Sequence, residues 1–226
     1  MGKASDLIIE RGQEIAAGML EVAAADISFA DGRFTITGTD RSVGIFDVAA
    51  VAEAGSDGPL SGACQEMMQF PGYPYGAQVC EVEVDREAGS VEVIRYAAVD
   101  DVGRAINPLI LHGQTHGGAV QGGGQALMEH IRHDPESGQL LTGSLLDYAL
   151  PRADDFPSFD VDIMEVPSPT NRLGVRGGGE GGTTPALAVI VNAIVDAQSE
   201  FGVEHMEMPA TSEKIWRAIN GKSGQR

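Results

Sequence analysis

The sequence predicts an α+β fold, and three patterns carry that prediction. Apolar residues recur at helical spacing near the N-terminus and again from Leu187 to Ile194, while strict alternation marks strands between them. Helices and hairpins follow one another without the regular strand–helix–strand spacing of a parallel α/β sheet. A chain of 226 residues, 42 % of them hydrophobic, can bury a sizeable core as one large or two small domains. We place a boundary near residue 70, separating a helix–hairpin–helix portion with its loop (1–70) from a C-terminal portion (71–226), with a further break near 150.

In chain order, Ile8, Ile15, Met19 and Val22 share one face of a helix from Ser5 to about Ala24. Ile27 and Phe29, then Asp31-Gly32, then Phe34 and Ile36 predict a short hairpin on a two-residue turn. Ser42 is placed to cap a short helix over Val43, Phe46 and Ala50, running to about Ala54. Residues 55–76, rich in glycine and proline, read as an extended loop. Its Phe70, Tyr73 and Tyr75 either anchor it to the core or pack over a ligand.

A hairpin follows. Cys80, Val82 and Val84 share one face and Glu81, Glu83 and Asp85 the other, and a turn at Glu87-Ala88-Gly89-Ser90 leads into Val91, Val93, Ala97 and Val99. The outward carboxylates form a solvated face. Asp100 and Asp101 at the strand end read as turn or salt-bridge residues, because two adjacent carboxylates without further ligands are weak grounds for a metal site.

Asn107-Pro108 is a helix start, cap followed by proline at the first helical position. The segment LILHGQTHGGAVQGGGQALMEH then holds six glycines, which would cost a helix roughly 6 kcal/mol relative to alanine. Such a helix needs close backbone contact, with another element or with a large flat ligand. Gln114, Gln121 and Gln125 project from one face and suit the edge of a polar heterocycle. His112 and His116 are one turn apart, a metal-binding spacing, but no carboxylate or cysteine nearby in sequence completes a site. Strands are expected at 140–148 and 159–166, separated by the proline-bounded PRADDFP. Thr211 caps a last helix through Ile215, Trp216 and Ile219, with Trp216 expected to tie the C-terminus to the body.

The stretch NRLGVRGGGEGGTT is the most informative. Glu180 sits among Gly177, Gly178, Gly179, Gly181 and Gly182, so its carboxylate is flanked by bare backbone that can adopt positive φ and let a ligand approach. Thr184 and Pro185 then cap a helix over Leu187, Ile190, Val191 and Ile194, whose unpaired N–H groups favour an anion at the loop.

With 15 basic against 33 acidic residues, the formal net charge of -18 argues against nucleic acid or an anionic membrane as partner. Cys64 and Cys80 show no metal-ligand spacing and suggest a reducing compartment, the cytoplasm. Nothing at the N-terminus reads as a signal peptide, and no apolar run reaches membrane-spanning length.

Taken together, VDDVGRAINP, HGQTHGGAVQGGGQALMEH, LLDYALPRADDFPSF, LGVRGGGEGGTTPALAVIVNAIVDA and MPATSEKIWRAI resemble the C-terminal part of the molybdenum-binding subunit of the xanthine dehydrogenase and aldehyde oxidase family. Within it, the chain is most similar to the large chains of carbon monoxide dehydrogenase-type enzymes. The resemblance implies two α+β lobes, the C-terminal portion holding molybdenum-molybdopterin, in bacteria often the cytosine dinucleotide form. It implies Glu180 as active-site base in the oxidative hydroxylation of an aldehyde, a heterocycle or a CO-like substrate. Gln114, Gln121 and Gly122, together with Gly177, Gly178 and Gly179, match cofactor-side motifs. Electrons would leave through partner iron–sulfur and FAD-carrying flavin subunits, since two cysteines cannot hold clusters. No residue is implied as a direct metal ligand.

The pattern departs from the family at Arg172, Arg176 and Gly178, where relatives commonly carry proline, lysine and valine; the extra glycine is expected to loosen the loop. Family subunits are also several times longer. The chain is therefore expected to be an excised domain or one part of a split subunit, its site completed by the N-terminal half. Two other readings remain open: a non-catalytic cofactor-holding or assembly domain, and a phosphate-binding enzyme using the glycine loop, which lacks a G-K-[ST] element.

Overall fold

The computed structural model describes residues 2–56, 58–65 and 70–221. The chain divides into two compact units, Met1–Gln69 and Phe70–Arg226.

In the first unit, α1 (Gly2–Leu20) is followed by the antiparallel strands β1 (Ile27–Ala30), β2 (Arg33–Ile36) and β3 (Ser42–Gly44), then by α2 (Ile45–Ala54). Ala30 pairs with Arg33, and Asp31 and Gly32 have φ of 48° and 74°, so the predicted two-residue hairpin forms. The helix face differs from the expected one. Gly12, Ala16 and Leu20 are buried, Met19 is exposed, and Val22 lies beyond a helix that ends at Leu20, where Glu21 turns to φ 59°. Phe34 sets this rotation: it is fully buried, and a Cβ at Gly12 would overlap its ring. Arg41 donates to the Leu20 carbonyl, closing the helix end.

Ser42 does not cap α2. It sits in β3 and accepts from the Arg33 guanidinium, while the Gly44 N–H at the helix start donates to the Asp47 carboxylate at 3.2 Å. Val48 and Ala52 face inward and Phe46 is exposed, the reverse of the expected face.

In the second unit, β4 (Tyr75–Val84), β5 (Val91–Asp101) and β6 (Phe159–Met164) form one sheet in that order. Helices α3 (Pro108–Leu127), α4 (Thr183–Ala197) and α5 (Ser212–Gly221) complete the unit. The β4–β5 hairpin is antiparallel, as the α+β reading expects, and β6 adds to it parallel to β5. The crossover from β5 to β6 contains α3. Residues 140–148 are turns around one bridge, His133 to Leu140, rather than a strand. Their leucines at 145 and 146 are both exposed, so the apolar run is not a buried strand.

A bulge decides the inner face of β5. Glu81 pairs with Arg95 and Val82 with Val93, leaving Ile94 unmatched. The parity flips there, so Tyr96, Ala98 and Asp100 point inward while Ala97 and Val99, expected on the core face, are exposed. Tyr96 packs edge-on to Phe159 with centroids 5.3 Å apart, in a core with Ala119, Ala186, Ile190, Ile194 and Ile215. Ile215 and Ile219 seat α5; Trp216, expected in that role, is 46 % exposed.

The Asp85 carboxylate accepts the backbone N–H groups of Ala88 (3.1 Å) and Glu87 (2.7 Å), and these bonds hold its pKa below the ordinary 3.8. A depressed folded pKa contributes stability that is present above the unfolded value and lost as pH falls through the folded one. The Tm difference between wild type and Asp85→Ala is therefore expected to narrow from about pH 5 to about pH 3, as thermal scans at each pH would read.

Candidate functional site

The end of β5, the start of α3 and the start of α4 meet around the glycine loop. Gly103, at φ +69°, turns the chain out of β5, and its N–H donates to Asp101 Oδ1 at 2.7 Å. The same oxygen accepts from Val166 N at 3.2 Å and lies 3.9 Å from Arg176 Nε. Asp101 is thus the turn and salt-bridge residue expected. Arg176 also lays its guanidinium over the Tyr75 ring, 4.3 Å from the centroid.

The loop itself is stapled rather than loose. Arg104 N and Ser168 N both donate to Gly174 O at 2.9 Å, Arg176 N donates to Val102 O at 2.7 Å, and Gly177 N to Gly72 O at 3.3 Å. Asn171 closes its own segment, donating to Val175 O and accepting from Val175 N. A Cβ at Gly178 would stand 2.8 Å from Val102 Cγ1, so the extra glycine fits close packing instead of loosening the loop. None of the glycines between 177 and 182 has positive φ; they permit close approach only.

Glu180 lies exposed between two held carbonyls. Gln114 Nε2 donates to Gly179 O at 2.7 Å, and Gln78 Nε2 donates to Gly181 O at 3.0 Å. Gln78 is held in turn by Tyr96, whose hydroxyl donates to its Oε1. Burial is the largest of the effects that push the Tyr96 pKa up, followed by the nearby Cys80 and Asp100. Cys80 itself is pushed up to about 11 by burial, leaving it a neutral thiol. Asp100, 4 % exposed, accepts from the Thr115 hydroxyl at 2.9 Å. A cavity of about 280 Å³ is lined by Glu180, Asp100, Gly76, Thr184 and the rings of Tyr73 and Tyr75. The rings are 69 % and 54 % exposed, so they wall this cavity and do not anchor the loop in the core.

Helix α4 starts earlier than expected. Gly182 is the cap residue, Thr183 the first helical residue, and Thr184 N donates to Glu180 O at 3.1 Å. Pro185 then falls within the first turn, where its missing N–H has no partner to lose. The early start follows from helix packing: a Cβ at Gly182 would stand 2.5 Å from Thr115 O, at Gly118 2.9 Å from Thr183 N, and at Gly122 2.6 Å from Thr183 O. Gly122 therefore belongs to the α3–α4 contact. Asn107 caps α3 as expected, accepting from Ile110 N at 3.3 Å.

The opposite face of α3 is open. A Cβ at Gly113 or Gly117 would meet nothing within 4 Å, and Gln114 and Gln121 on the same face are exposed. His116 packs against Phe159, with ring centroids 5.4 Å apart. Among the described residues no group of three or more His, Cys, Asp or Glu gathers at metal-binding range, and no helix is long and apolar enough to cross a membrane.

The profile of the molybdopterin cofactor-binding domain family matches residues 1–157. The chain belongs to this family. It is 36 % identical to the 6-hydroxypseudooxynicotine dehydrogenase complex subunit gamma of Paenarthrobacter nicotinovorans, over 97 % of this chain and 28 % of that protein. It is 33 % identical to the carbon monoxide dehydrogenase large chain of Hydrogenophaga pseudoflava, over 92 % of this chain and 26 % of that one. Among solved structures it superimposes on quinoline 2-oxidoreductase from Pseudomonas putida 86 with a TM-score of 0.85 at 33 % identity, covering 96 % of this chain and 29 % of that one. The chain thus spans under a third of the length of these relatives, which are oxidoreductases, the first two named as a complex subunit and a large chain.

One face of the second unit has the room and the polar groups that a pterin requires. The face of α3 with Gly113, Gly117, Gln114 and Gln121 offers bare, open backbone flanked by exposed amides, room that side chains at the two glycines would take up. It adjoins the Glu180 loop through the Gln114–Gly179 bond. Sequence reasoning missed Gln78 and Tyr96, and it read Asp100 as a turn or salt-bridge residue where the carboxylate is buried on the Thr115 hydroxyl. A signal for Gln78 was present: it shares strand parity with Cys80, Val82 and Val84, a polar residue on an apolar face.

Proposed function

We propose that this chain is the C-terminal portion of a molybdenum hydroxylase large subunit, acting in the cytoplasm, that holds molybdenum-molybdopterin along α3 and presents Glu180 to the substrate as a general base. The observation that carries the reading is the fixed loop: two amide donors grip the carbonyls on either side of one glutamate, beside an open glycine face. The molybdenum–pterin group supplies, when bound, the redox centre that accepts the substrate's electrons.

The chain's own residues bind, orient and move a proton. One N–H of Gln114 is committed to Gly179 O, so its carbonyl oxygen is the group offered to the heterocycle edge; Gln121 presents both amide atoms two turns further along. Gly177 and Gly179 leave the loop backbone open to the cofactor, while Gly178 and Gly122 bring loop and helices close enough to line it. The Glu180 carboxylate oxygens take the proton released at the reacting centre, a role general bases fill once held within hydrogen-bond reach. The substrate class is an aldehyde, a heterocycle or a CO-like molecule, with the cofactor in cytosine dinucleotide form. Iron–sulfur and flavin subunits carry the electrons away, and the N-terminal half of the subunit closes the site.

Gly117→Leu tests the cofactor half of this reading. The substitution adds a side chain where a Cβ meets nothing, and it raises helix propensity by about 1 kcal/mol, so the chain itself keeps its fold. Molybdenum and pterin content of the assembled enzyme is expected to fall about tenfold or more. Full cofactor content in this variant contradicts the reading.

A further inference from the structure

We infer that Gln78, anchored by Tyr96, is a positioning residue for Glu180; the inference rests on the reading of Glu180 as the base. A glutamate set among five glycines has no side-chain neighbours in sequence to restrain its backbone. The restraint comes instead from three held carbonyls, Glu180 O itself, bonded by Thr184 N, and those of the residues on either side. Gly179 O is held from α3 by Gln114, and Gly181 O from β4 by Gln78, a residue 103 positions away in sequence. Gly179 O lies in the peptide that enters Glu180, and Gly181 O lies in the peptide that leaves the next residue, so Gln78 fixes the Gly181 backbone against which the Glu180–Gly181 peptide ends, and the two bonds together limit how the Cα–Cβ vector of Glu180 can swing.

Gln78 can serve this way because its own orientation is fixed. The Tyr96 hydroxyl donates to Oε1 and the amide N–H₂ donates to Gly181 O, which can only accept and so excludes the flipped amide. Tyr96 is 2 % exposed and wedged edge-on against Phe159, so the hydroxyl at its tip does not wander. The β5 bulge at Ile94 is what turns Tyr96 inward. A line of contacts thus runs from a strand irregularity through Tyr96 and Gln78 to the base.

The test uses the assembled enzyme and five variants: Gln78→Leu, Tyr96→Phe, the double Gln78→Leu/Tyr96→Phe, and Glu180→Gln with and without Gln78→Leu. Gln78→Leu is expected to lower kcat by about 10- to 100-fold with KM and molybdenum content unchanged. It also leaves the Tyr96 hydroxyl unpaired in the core, which lowers Tm; the double variant removes both partners and brings Tm back toward wild type. The inference requires kcat to stay low in that double variant, and Tyr96→Phe alone to lower kcat with its ring packing kept. It further requires Gln78→Leu to have no added effect on the residual rate of Glu180→Gln, since a group that acts through the base has nothing left to position. Recovery of kcat together with Tm, or a multiplied loss on the Glu180→Gln background, overturns this inference alone. A wild-type rate in Glu180→Gln overturns the base reading and this one with it.

Discussion

Glu180→Gln is expected to lower kcat of the assembled enzyme by about 10²- to 10⁴-fold, the range that a positioned general base contributes. The substitution keeps the length and polarity of the side chain and removes its capacity to take a proton. The fold should not notice: the side chain is exposed, and the bonds that hold its segment run through the Gly179 and Gly181 carbonyls and the Glu180 backbone, none of which the change touches. Molybdenum content, assembly and Tm should therefore match wild type, and the loss should appear in kcat more than in KM. A loss of cofactor together with rate would instead make Glu180 a holding residue.

Gly122→Val is expected to have the largest effect on stability. A Cβ at Gly122 would stand 2.6 Å from Thr183 O and 2.7 Å from Ala186 Cβ, so α3 and α4 must separate. Overpacking of that kind costs about 1–3 kcal/mol and here moves a whole helix start, so about 3 kcal/mol is the expectation; at roughly 2–4 °C per kcal/mol, Tm falls by about 6–12 °C. The same residue type on the same helix gives the opposite sign at Gly113, where a Cβ meets nothing: Gly113→Ala should gain up to about 1 kcal/mol from helix propensity. Thermal unfolding of the two variants side by side reads the contrast. Because α4 begins where the Glu180 loop ends, Gly122→Val should also weaken catalysis by shifting the loop.

What could be read from the sequence was local. Asp31-Gly32 specified its hairpin through the two positive φ angles the turn requires, and Asn107-Pro108 specified the start of α3, because these signals depend on a few adjacent residues. The glycines of α3 required close backbone contact, and α4 supplies it at Gly118 and Gly122. Faces that depend on distant partners were misread. Met19 fits a helical stripe, but Phe34 packs where Gly12 leaves room, and the stripe rotates; Ala97 and Val99 alternate properly, but the bulge at Ile94 reverses their side. The leucines at 140–146 suggest a strand only if something covers them, and none of the described residues does. At the site, Glu180 was legible from its glycines, while Gln78 showed only as a polar residue on an apolar strand face and its bond to the loop closes over 103 positions.

The central claim is that this chain holds a molybdenum-pterin cofactor beside Glu180, and the most direct measurement is molybdenum by elemental mass spectrometry on the purified assembled enzyme, with pterin measured in the same sample. The account predicts stoichiometric molybdenum and pterin in the wild type and in Glu180→Gln, and loss of both in Gly117→Leu. Absence of molybdenum from the wild-type assembly, with cofactor supply confirmed by a second molybdenum enzyme made in the same cells, would contradict it.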